Sequence, residues 1–200
     1  MKTDIITVSS RGSRIETALQ QADFVAQYKN LSPKSALHLR LLTEEMMGMI
    51  RSITGETEGE FWIEDKDDEF QLHLRVYTTM DSEKRERLLS ASTSGKNESA
   101  KGFMGRLRNF FDLEADADVA AAAGPMYAGI YQDASTGAML DYEWSLLRYE
   151  EQLNARGEND PIAREGWDEL EQSVVAHVAD DVKVSIRGRT VEMIILKKMS

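Results

Sequence analysis

Apolar and polar positions repeat with two different periods along this chain, and the switches between them mark its elements. Residues 4–9, Asp-Ile-Ile-Thr-Val-Ser, are rich in β-branched side chains and predict a short strand. From Arg14 to Tyr28 the apolar positions Ile15, Ala18, Leu19, Ala22, Val25 and Ala26 recur at helical spacing. Ser32-Pro33 marks a new start, with Ser32 as N-cap and Pro33 in the first turn. The helix it opens reaches about Ile53 and carries Leu39, Leu42, Met46, Met49, Ile50 and Ile53 on one stripe, with Gly55 as the stop.

The period then changes. Glu60–Glu64 and Phe70–Tyr77 read as strands joined by a polar turn, Asp65 to Glu69. In the second strand Phe70, Leu72, Leu74 and Val76 alternate with Gln71, His73 and Arg75. Asp81-Ser82 caps a short helix from Glu83 to Ser90. Lys101 to Phe111 is helical. The Ala/Gly-rich stretch Ala115 to Gly137 is weakly patterned. Met139 to Ala155 reads as a helix through Trp144, Leu147, Tyr149 and Leu153, and Asn159-Asp160-Pro161 breaks it. A last helix spans Ile162 to Ala179. The chain closes with a hairpin, Val182–Arg187 and Thr190–Lys198 around Gly188-Arg189. Strands that pair locally make a mostly antiparallel, mixed sheet. With helices over one face, the class is α/β (α+β), a two-layer sandwich in one domain, with a helical insertion at about 112–160.

Composition narrows the setting. The chain has 200 residues, 42% hydrophobic and 30% charged, enough for one cored domain. It has no cysteine, so disulfides and thiolate zinc sites are excluded. The first residues hold no apolar stretch long enough for a signal peptide, and no window approaches the roughly 20 apolar residues of a membrane span. A cytoplasmic protein without membrane attachment is the expectation. A net charge of −11 opposes sequence-independent nucleic-acid binding.

Three stretches together resemble the GHKL-type ATPase fold, and within it the anti-sigma-factor serine kinases. Ala22-Asp23-Phe24-Val25 is similar to the core of the family's first helix. Leu39-Arg40-Leu41-Leu42-Thr43-Glu44-Glu45 is similar to the approach to the family's helix glutamate, which would be Glu45. Leu170 through Val184 looks like the family's last helix running into its final hairpin. The resemblance covers about residues 1–110 and 165–198. It implies the fold and a nucleotide pocket holding ATP or ADP.

The departures bear on chemistry. Four residues after the glutamate the family carries an asparagine that holds Mg²⁺. Positions i and i+4 share a helix face, and that position here is Met49. A thioether is a poor partner for a hard cation that seeks oxygen, so no bound magnesium is expected. Where the family has an adenine-reading aspartate, this chain has Thr78 or Thr79. No Gly-x-Gly follows Asp81. The remaining candidate for a phosphate loop is Gly102-Phe103-Met104-Gly105, leading into a helix whose first N–H groups would cradle an anion. The pocket so implied is bounded by Glu45, Met49, Thr78, Thr79, Asp81, Gly102 and Gly105, with Glu45 the one candidate base.

Other residues yield less. Glu44 and Glu45 point about 100° apart on a helix, so they are not a facing acid–base pair. His38, His73 and His177 have no metal-ligand partner at helical spacing, and surface or structural roles suit them. Asp65, Asp67, Asp68 and Glu69 read as a solvated turn rather than a Ca²⁺ loop. From Ser82 to Arg108 seven basic residues stand against three acidic ones, which suits either an anion-facing lid or a surface helix with charge pairs. Met46, Met47 and Met49 suit core packing, or an adaptable ligand cavity. No serine lies in a nucleophile elbow.

The expectation is a non-catalytic regulator with a degenerate kinase-like fold that binds a small molecule or nucleotide. One alternative is a protein-interaction domain or homodimer whose old pocket is closed by side chains, anchored by Tyr127, Tyr131, Tyr142, Trp144 and Tyr149 of the insertion. Another is a divergent ATPase or serine kinase that recruits its metal through Glu44, Glu45 or Asp81.

Overall fold

A computed structural model describes residues 1–9, 14–54, 58–66, 68–77, 141–157, 160–171, 173–187 and 190–199. Thr78, Thr79, Asp81, Gly102 and Gly105 lie outside them, as do the basic stretch Ser82 to Arg108, the helices expected there, and Tyr127 and Tyr131.

Strand β1 (Ile6–Ser9) leads into α1 (Arg14–Tyr28) and α2 (Pro33–Thr54). Helix α1 ends where Asn30 turns left-handed at φ 53°, a conformation asparagine tolerates. Leu31 N–H then reaches Ala26 O at 3.0 Å and Asn30 N–H reaches Gln27 O at 3.1 Å, the bonding of a Schellman turn. Ser32 caps α2 as its sequence predicts: its Oγ accepts from Ser35 N–H at 3.2 Å, and Pro33 fills the first helical position.

Strands β2 (Glu58–Lys66) and β3 (Glu69–Tyr77) are longer than the spacing predicts. The turn shrinks to two residues, with Asp68 at φ 69°. Asp65 is therefore no solvated turn residue. It is buried in β2 and ion-paired to Lys29.

The segment expected to be one helix from Met139 divides in two. Asp141–Ser145 is strand β4, followed by helix α3 (Leu146–Arg156). The break falls at Ser145, where buried Asp181 of a neighbouring strand takes over the capping. Its carboxylate accepts from Ser145 Oγ at 3.1 Å and from Leu147 N–H at 3.2 Å. The following helix also divides, into α4 (Pro161–Glu171) and α5 (Val174–Val178). Ser173 caps α5 by accepting from Ala176 N–H at 3.2 Å. Strands β5 (Asp181–Arg187) and β6 (Thr190–Lys198) form the closing hairpin.

The six strands make one sheet in the order β1-β2-β3-β6-β5-β4, and every described pairing is antiparallel. Val8, Phe61, Ile63, Leu72, Leu74, Val184, Met193 and Ile195 point to one face. There they join Ala22, Val25, Leu39, Leu42, Met46, Met49 and Ile50 of the first two helices, with Leu146, Leu153, Ala163, Leu170 and Val175 of the later ones, in one core. The result is an α+β sandwich with its helices on that face. None of the described helices is long and apolar enough to cross a membrane.

Candidate functional site

Of the seven residues the sequence implicates, the described structure places two, Glu45 and Met49, one turn apart on α2. Glu45 is half-buried and Glu44 exposed. Met49 is 3% exposed and belongs to the core, as do Met46 and Met47. The methionine stripe is thus packing for the sheet.

Phe24 departs from the resemblance, which places it in a core segment. It is 62% exposed and stacks on Tyr28, itself 65% exposed, with ring centroids 6.2 Å apart. One turn separates the two on the outer side of α1, away from Ala22, Val25 and Ala26. Beside them an open groove of about 540 Å³ is lined by Asp23, Ala26, Gln27, Asn30, Leu31 and Ala36. Its α2 wall, Ala36, lies thirteen residues before Met49, about 20 Å along the helix at 1.5 Å per residue. Neither Glu45 nor Met49 lines the groove.

The opposite face of the sheet carries a polar constellation that periodicity does not reveal. Trp62 of β2 is 2% exposed, yet it stands outside the helix-covered core. Its cross-strand partner His73 lies parallel to it, 8° between planes and 4.7 Å between centroids. Lys2 and Arg75 sit over the indole at 5.1 and 4.8 Å. The indole N–H donates to Glu64 at 2.9 Å, and Lys2 Nζ lies 3.0 Å from the same oxygen. The hydrogen bonds from Lys2 and Trp62 hold the Glu64 carboxyl below the usual carboxylate range. Arg75 bridges Glu192 at 3.5 Å and Glu60 at 3.6 Å. His73 is 7% exposed, with neither ring nitrogen hydrogen-bonded, and burial pushes its pKa down against the opposing pull of Glu64 and Glu192. Alternation put His73 on the polar side correctly. The missing signal was the pairing register, which alone sets Trp62 beside it.

Among the described residues no group of three or more His, Asp or Glu is placed to hold a metal ion. Tyr149, expected among the interface aromatics, packs against the core. No protein-family model, no curated protein and no solved structure matches the chain.

Proposed function

We propose that the chain is a non-catalytic regulator with a degenerate kinase-like ATPase fold, binding a nucleotide or other small anion weakly and without magnesium. The observation that carries this reading is Met49. One turn beyond Glu45, the candidate base, the position that the resemblance assigns to the cation carries a thioether buried in the core. Phosphoryl transfer depends on a metal-bound triphosphate, and a buried sulfur offers a hard cation nothing comparable to oxygen. The first strand and the closing hairpin share one sheet, and the helix pair packs on its face, an arrangement that supports the same reading.

Calorimetric titration with ATP and ADP, each with and without Mg²⁺, tests it. The expected result is weak binding that magnesium leaves unchanged. Tightening by about tenfold on adding Mg²⁺, some 1.4 kcal/mol of metal-dependent affinity, would overturn it.

A second reading, self-association, has its own observation. The Phe24–Tyr28 stack and Leu37 leave large apolar side chains exposed on the α1–α2 hairpin, next to an Asp23–Arg40 ion pair that is locally neutral. A copy of a chain with net charge −11 meets least repulsion at such a place. Sedimentation of the intact chain and of Phe24→Ser/Tyr28→Ser distinguishes a dimer from a monomer.

A further inference from the structure

We infer that His73 is a proton-sensitive seal on the polar face of the sheet: on mild acidification its ring takes up a proton, and the His73–Trp62 stack opens to water while the fold stays intact.

The geometry makes the neutral ring the comfortable one. His73 sits mid-strand in β3, stacked on Trp62, with Ile194 of β6 directly across on the other side. An indole and an isoleucine accept no hydrogen bond in the ring plane. The neutral imidazole thus lies sealed with both nitrogens unpartnered. That already costs something, and a protonated ring costs more, because it must place two N–H donors instead of one.

The charged groups around it give little help. From β6, Glu192 Oε1 lies 3.6 Å from His73 Nδ1, slightly too far for a hydrogen bond, and Arg75 of β3 already draws it at 3.5 Å. From β2, Glu64 is engaged by the Trp62 indole and by Lys2. Lys2 itself repels an added positive charge. Nε2 has no acceptor among the described residues. An imidazolium here gains at most one partner, whereas water supplies both.

The pH window follows from the sign of the shift. Burial sets the folded-state pKa of His73 below its ordinary 6.5. The sealed state is then fully favoured above that value and loses stability as the pH falls below it toward the folded value. Because His73 and Trp62 stand away from the helix-covered core, opening there leaves the helix layer packed.

Trp62 reports the event directly. In a Trp144→Phe/Trp167→Phe background it is the only tryptophan left of three. Its emission and acrylamide quenching would be followed from about pH 7.5 to about 5, the range over which histidine titrates, alongside far-UV circular dichroism. The expected result is a red shift and an increase of about twofold or more in quenching, with helical signal retained and the change abolished by His73→Gln. Constant quenching, the same change in His73→Gln, or loss of the helical signal in step with the fluorescence would each overturn the inference. If the background variant does not fold, NMR on the unsubstituted chain decides. His73 is expected to titrate with a midpoint below 6.5, accompanied by faster exchange of the Trp62 indole proton. A midpoint at or above 6.5, or unchanged exchange, contradicts it.

Discussion

Met49 lies one helical turn beyond Glu45 on α2, yet the two side chains live in different media: Glu45 is half-buried at the helix flank, and Met49 is packed between helix and sheet. An oxygen ligand placed at Met49 would enter an apolar core and could serve a cation only by disrupting it. Met49→Asn is therefore expected to destabilise the fold by roughly 1–3 kcal/mol from the buried amide alone, and to create no magnesium dependence. Met49→Leu, which keeps volume and polarity, should cost less than about 1.5 kcal/mol. Urea denaturation of the two variants checks the order.

Asp181 ties β5 to the start of α3. Its carboxylate accepts from Ser145 Oγ, Leu147 N–H and, at 2.8 Å, Val182 N–H. Asp181→Ala is expected to lose roughly 1–3 kcal/mol, since buried donors are left without an acceptor. Glu150 of α3 gives a second readout. Its pKa is raised first by burial and then by the Asp181 charge. Asp181→Asn should move the Glu150 titration down without restoring it fully, as followed by carboxyl ¹³C shifts.

Acid stability should depend on Asp65. A hydrogen bond from Lys29 holds its carboxyl below the ordinary 3.8, outweighing the opposing effect of burial. A carboxylate with a depressed folded pKa stabilises the fold above its unfolded value and loses that contribution as pH falls through the folded value. Denaturation midpoints should therefore drop below about pH 4 in the native chain. Asp65→Asn should be less stable at neutral pH and show a flatter acid limb.

Two glycines separate backbone from side-chain crowding. A Cβ on Gly59 would stand 2.9 Å from the Arg75 carbonyl oxygen, so β2 and β3 would have to spread. A Cβ on Gly166 would meet Leu153 Cδ2 at 2.6 Å and Tyr149 Oη at 2.8 Å, the far ends of side chains that can turn. Alanine in a helix also gains about 1 kcal/mol over glycine. Gly59→Ala is expected to cost about 1–3 kcal/mol and Gly166→Ala clearly less. Paired thermal melts decide this.

Periodicity alone located α1, α2 and the closing hairpin, because each buries one face against the sheet and its apolar positions repeat accordingly. It failed where a partner distant in sequence decides the outcome. Tyr142 and Trp144 give too short an alternation to outweigh the helical spacing through Leu147 and Leu153, and the residue that stops the helix at Ser145 is Asp181, 36 residues away. The first hairpin shows how fine the margin is. A five-residue turn from Asp65 to Glu69 would set Glu64 opposite Phe70, whereas the two-residue turn sets Glu64 opposite Gln71. That single-residue difference is what brings Trp62 against His73, and it cannot be read from alternation. For the candidate pocket, the burial of Met49 was legible from the stripe it shares with Met46 and Ile50, whereas its place at a cation site rests on the resemblance and not on spacing.

The most direct test of the central claim is turnover with saturating Mg·ATP, followed as phosphate release and as transfer to added protein. The expected result is no activity above the buffer background, unchanged by Glu45→Ala. Turnover at about 1 s⁻¹ or faster, in the range of working kinases, and abolished by Glu45→Ala, would contradict it.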